Sequence, residues 1–194
     1  MLFPDLLYRF LPLPFLPDRA EGLERSWEDA WLDAGAPRTL SLAQPFLALR
    51  PRQDKGTAWR PILMVNGASE EAGRRIVTST VIPPPELDAY DFHRLTGRDV
   101  PISTAIHNGA RFPYVSPAGT LTVGPRGDKP AQGHIIDGGY FDAVGTEAVR
   151  ELAGAIARGP ARRNKDKLRF VFVVIEYGGP TEAEAAKTKA KVAY

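Results

Sequence analysis

The residues best suited to chemistry lie in Gly133-His134-Ile135-Ile136-Asp137-Gly138-Gly139-Tyr140-Phe141, where a short apolar run ends on a carboxylate and two glycines follow. Ile135 and Ile136 favour extended structure, while Gly138 and Gly139 permit positive φ and the close approach of another backbone or a ligand. The segment therefore reads as a strand that presents Asp137 at its end, where open α/β sheets place their ligand sites. The plainer role for an isolated Asp-Gly-Gly is a side chain that braces its own turn. Histidine offers no ready partner. His134 and Asp137 stand three apart on the predicted strand, which sends their side chains to opposite faces. His93 and His107 fall on separate predicted helices without ligand-type spacing, so core or surface roles are expected for both, and no metal site is expected. The chain has no cysteine, which removes disulfides, thiol catalysis and thiolate metal sites.

Upstream stands Ser103-Thr104-Ala105-Ile106-His107-Asn108-Gly109-Ala110-Arg111-Phe112-Pro113-Tyr114-Val115-Ser116-Pro117, a small-residue helical run that stops at a proline-punctuated loop. Together the two stretches resemble the C-terminal half of the bacterial patatin-like phospholipase (lipid acyl hydrolase) domain. The resemblance extends to Met64-Val65-Asn66-Gly67 with Gly73-Arg74-Arg75, and to Pro17-Asp18-Arg19-Ala20 with Leu23-Glu24 and Trp27-Glu28, so that it spans most of residues 1 to 176. It implies a three-layer α/β/α fold, partial here, around a mixed central sheet, with residues 1–179 as the patatin-like domain and 180–194 as a polar tail. It implies cleavage of acyl esters of phospholipids or related lipids through a Ser-Asp dyad, in which Asp137 is the base. Gly138 and Gly139 would shape its turn, and Ala110, Arg111, Phe112 and Pro113 would line the site, Arg111 pairing either with a phosphate or with a core carboxylate. No cofactor is implied.

The family's serine sits in a Gly-x-Ser-x-Gly elbow, and that pattern does not occur in this sequence. The nearest stretch, Gly67-Ala68-Ser69-Glu70-Glu71, follows the apolar run Ile62–Val65 but ends on Glu71 in place of the second glycine, so Ser69 reads as a turn or capping residue. Only the aspartate half of a dyad is evident, and this chain alone is expected to be inactive as an esterase. An upstream segment or a second chain would supply the serine and complete the sheet. The alternative is a degenerate or truncated, non-catalytic patatin-like module that binds lipid or a protein partner.

Positioning these residues requires strands and helices in alternation, which indicates an α/β domain. A helix is expected from about Asp18 to Ala34, with Asp18 and Glu21 spaced as a capping box, Ala20, Leu23, Trp27, Ala30 and Trp31 on one face, and Gly35 and Pro37 beyond its end. A shorter helical piece is expected within Leu40–Leu49, kinked or started by Pro45. Ile62–Val65 and Ile76–Thr80 read as strands, followed by helices near Leu87–Leu95 and Ile102–Ala110. Leu121–Val123 and Gly133–Ile136 could pair as a hairpin. A helix should run from Phe141 through Ala157, and Leu168–Ile175 reads as an interior strand from its nearly continuous apolar, β-branched and aromatic composition.

The 194 residues suit one core, and 25 basic against 23 acidic side chains leave a net charge of +2, too little to indicate a nucleic-acid partner. The resemblance implies a lipid or acyl-ester substrate, with peripheral membrane contact. Met1–Pro17 is rich in Leu, Phe and Pro but lacks a basic leader and carries an early Asp5, so it reads as a cover for the core and not as a signal peptide or a span. A cytoplasmic or membrane-associated setting is expected ahead of a secreted one.

Overall fold

The structure, a computed structural model, describes residues 18–37, 41–51, 60–113, 115–123, 131–159 and 169–175. In chain order they form α1 (Arg19–Asp33), a single 3₁₀ turn (Phe46–Leu49), β1 (Met64–Ser69), β2 (Arg75–Ser79), β3 (Tyr90–Asp91), α2 (Phe92–Thr96), α3 (Ile102–Asn108), β4 (Gly119–Val123), β5 (Ala131–Asp137), α4 (Gly139–Asp142) and α5 (Thr146–Arg158). The fold is mixed α/β. Its five strands form one sheet in the order β3-β2-β1-β5-β4, in which β2 and β3 are parallel and every other pair is antiparallel. β1 lies at the centre. Gly67 of β1 stands opposite Asp137 of β5, and Leu121 of β4 opposite Gly133, so the expected hairpin is present.

Alternation along β2 divides the environment of the sheet, because successive side chains point to opposite faces. Ile76 joins Phe92, Leu121 and Ile135 in a buried apolar cluster, and Val100 connects it to a second cluster of Phe46, Ile102 and Ala105. Phe46 is fixed there by main-chain bonds that tie its turn to the start of α3: Phe46 N donates to Val100 O (2.8 Å) and Ile102 N to Gln44 O (2.9 Å). Arg75, on the other face of β2 and fully buried, pairs with Glu151 of α5, stands 3.9 Å from Asp142 Oδ2, and lies 5.3 Å from the centre of the Phe141 ring. A charge so deeply buried must be compensated, and these two carboxylates supply the compensation.

Several expectations are corrected. The Asp18 cap of α1 is present, its Oδ1 accepting from Glu21 N at 2.8 Å, but Leu23, Ala30 and Trp31 are exposed. The side that faces the protein carries Ala20, Glu24, Trp27 and Glu28, because the partner surface on α3 is polar. Ile62 and Leu63 are exposed ahead of the strand, which starts at Met64 and continues to Ser69. The Leu87–Leu95 piece is shorter than expected: Tyr90 and Asp91 pair as β3, and helix begins only at Phe92, where Asp91 Oδ1 caps it. The helix expected from Phe141 to Ala157 is two helices, broken where Gly145 takes φ 72°. Asp142 then caps the second, its Oδ2 accepting from Ala148 N at 3.0 Å.

The largest correction concerns Leu168–Ile175. Leu168 lies outside the described residues, and residues 169–175 form no strand. Val171, Val173 and Ile175 are 76%, 82% and 90% exposed, and Phe170 and Phe172 stack on each other at 6.2 Å. Composition gave this segment a β preference, but a strand also needs a neighbour to bond with, and no strand of the described sheet lies beside it. The expectations for Met1–Pro17 and for the 180–194 tail fall outside the described residues.

Candidate active site

Asp137 ends β5 beside the central strand. Its carboxylate Oδ1 accepts from Gly139 N at 2.6 Å, which makes the turn an Asx turn leading into α4. Gly138 takes φ −66°, so it does not use the left-handed freedom of glycine; what it needs is space. A Cβ there would stand 2.2 Å from Asn66 O of β1, far inside contact distance.

The loop after α3 meets this turn through main-chain bonds: Asp137 N donates to Arg111 O at 3.1 Å, and Gly138 N to Gly109 O at 3.2 Å. The two stretches that carry the family resemblance are thus joined in space. Ala110 and Phe112 are exposed and Pro113 is half-buried. The Phe112 ring stacks on Tyr140 of α4, 6.3 Å between centres, and both rings are exposed. Arg111 is buried and directs its guanidinium inward: Nε donates to Asn108 Oδ1 (2.9 Å), Nη1 to Pro117 O (3.1 Å) and Nη2 to Glu24 Oε1 (3.1 Å). Of the two roles open to Arg111, it takes the core carboxylate.

Glu24 is the hub of a buried polar network between α1 and α3. Besides Arg111 it accepts from Thr104 Oγ1 (2.6 Å) and bonds His107 Nδ1 (2.8 Å), while Ser103 Oγ donates to Glu28 Oε1 at 2.5 Å. The other ring nitrogen of His107, Nε2, lies 2.7 Å from Ser116 Oγ. Burial alone would push the Glu24 carboxyl up, but the bonds from His107 and Thr104, with the charges of Arg111 and His107, outweigh it and hold the group below its ordinary value. Burial in turn lowers the Arg111 guanidinium, against the opposing charges of Glu24 and Asp18.

Glu24, Glu28, Ser103, Thr104, His107 and Ser116 form a site that the sequence reading did not assemble. A signal was present: Glu24 and Glu28 stand four apart, and Ser103, Thr104 and His107 share the facing side of α3, so each helix carries a polar stripe where an apolar one is usual.

Ser69 closes β1 as a turn brace, its Oγ accepting from Ala72 N at 3.2 Å. Nearby, Glu70, Glu71 and His134 bring ligand-type atoms within 4.8 Å of one another, the one such group among the described residues. Both glutamates are exposed and His134 is half-buried, and Glu71 is already engaged by His134, through Nδ1 (2.6 Å) and through the main-chain amide (3.0 Å). No helix among the described residues is long and apolar enough to cross a membrane. Comparison with protein-family models, with curated proteins and with solved structures found no match.

Proposed function

We propose that this chain is the aspartate-bearing part of a patatin-like lipid acyl hydrolase, in which Asp137 is the base of a Ser-Asp dyad acting on acyl esters of phospholipids or related lipids. The observation that carries the reading is the pair of main-chain bonds from Asp137 and Gly138 to the Gly109–Arg111 loop, which bring together two distant stretches of the family's sequence pattern. Helices meeting β2 from opposite faces, at Ile76 and at Arg75, agree with a three-layer arrangement. The exposed Phe112, Val115 and Tyr140 offer an apolar lip for peripheral contact with a lipid surface.

In this reading Asp137 takes the proton of the serine hydroxyl as the oxygen attacks the ester carbonyl. The ester bond breaks with the alcohol leaving, and water later releases the acyl group. For the transfer to be concerted, the serine must lie in direct contact with Asp137 and give up its proton only as the new bond forms. The serine comes from an upstream segment or a second chain.

A second reading, a non-catalytic module that binds lipid or a protein partner, is favoured by one observation: the Asp137 carboxylate already accepts from Gly139 N. Asp137→Asn separates the two. Asparagine keeps the shape and still accepts from Gly139 but cannot take a proton, so in the assembly that supplies the serine, esterase activity should fall by about a hundredfold or more with an unchanged melting temperature. Full activity in the folded variant would establish Asp137 as a brace.

A further inference from the structure

The network between α1 and α3 contains an order of groups that a simple brace does not require. Glu24 accepts at His107 Nδ1 (2.8 Å), and a carboxylate accepts there only if Nδ1 carries the proton. In the neutral ring Nε2 is then an acceptor, and the Ser116 hydroxyl, 2.7 Å away, must be the donor. Carboxylate, imidazole and hydroxyl are thus connected as in an acyl-transfer triad, in the chain order Glu24, His107, Ser116. Glu24 is tied to Arg111 and Thr104, Glu28 is occupied by Ser103, and Trp27 presents an edge-on ring 5.5 Å from the imidazole.

We propose that Ser116 is an activated hydroxyl that accepts an acyl group from small activated esters, with His107 as its base and Glu24 as the positioning carboxylate. This inference is independent of the patatin-like reading, since it uses neither Asp137 nor a serine from elsewhere. In the step, Ser116 Oγ forms a bond to the acyl carbon and its proton passes to His107 Nε2. The ester C–O bond breaks, and the departing oxygen takes that proton. Ser116 is 7% exposed and His107 1%, so the donor must be narrow. Val115, the neighbour of Ser116 in the chain, is 68% exposed, and the loop hangs from Phe112 O by the amides of Val115 (3.1 Å) and Ser116 (2.9 Å). Arg111, the nearby cation, is engaged with Asn108, Pro117 and Glu24 and is not aimed at a developing oxyanion. One acyl group per chain is therefore expected, without rapid turnover.

The test is reaction of the 194-residue chain with an excess of a small fluorophosphonate, in which Oγ attacks phosphorus, fluoride leaves and the proton goes to His107. Intact mass should show a single adduct, peptide mapping should locate it at Ser116, and urea-unfolded chain should not react. His107→Gln should slow the reaction by about a hundredfold. Absence of an adduct, an adduct at Ser69 or another residue, or an equal rate in folded His107→Gln would overturn the proposal. Should that variant fail to fold, an equal rate of adduct formation in the urea-unfolded, unaltered chain would overturn it equally.

Discussion

The Glu71 carboxyl accepts from the main-chain amide of His134, and that bond, with further help from the His134 ring, holds it at about 2 against an ordinary value of 4.5. A carboxyl depressed on folding contributes stability that is present above its unfolded value and is lost as pH falls through the folded one, here between 4.5 and about 2. Carbon-detected NMR should place the Glu71 midpoint near 2. His134→Ala should leave it well below the ordinary value, because the main-chain donor survives the substitution; a return to 4.5 would show that the ring alone sets it. Residues of this kind differ in how plainly the sequence announces them. Asp137 was legible because strand, carboxylate and glycines are contiguous. Glu24, His107 and Ser116 were not, since His107 meets Glu24 across 83 positions and a glutamate on a helix is ordinarily read as solvent-facing.

At the level of elements, the same substitution should have opposite signs in two places. Gly22 lies inside α1 with nothing within 4 Å of where a Cβ would stand, so Gly22→Ala should raise stability by about 0.5–1 kcal/mol through helix propensity. Gly138→Ala drives a Cβ into the main chain of β1 and should cost about 1–3 kcal/mol or more. Urea unfolding should show both as shifts of midpoint with little change in slope. A neutral Gly138→Ala would mean that the Asp137 turn yields and is not held against Asn66. Elements were recovered best where local chemistry defines them: the Asp18 cap, Pro45 before the 3₁₀ turn, and the β4–β5 pair. They were misjudged where the deciding contact is distant. The inward side of α1 follows from polar groups on α3, and the break at Gly145 follows from Asp142 reaching forward to Ala148.

Across the whole molecule, the sheet order β3-β2-β1-β5-β4 follows from pairings that strand propensity does not encode, which is why the sequence indicated an α/β class without its topology. The same gap explains residues 169–175, whose composition asks for a neighbour that the described sheet does not supply. Arg-Phe-Val-Phe-Val-Val-Ile has one charge, at its first position, and no proline or glycine, and Val171, Val173 and Ile175 stand largely in water. Such a heptapeptide is the kind of segment from which steric-zipper spines assemble, identical copies stacking in register. In concentrated solution the chain should therefore form thioflavin-positive fibrils after a lag that shortens with concentration. Val173→Lys should lengthen that lag severalfold without moving the unfolding midpoint, because the side chain it replaces is 82% exposed, and an unchanged lag would place the spine elsewhere. The segment that most wants a strand beside it is thus also where many copies of this protein would first solidify into one another.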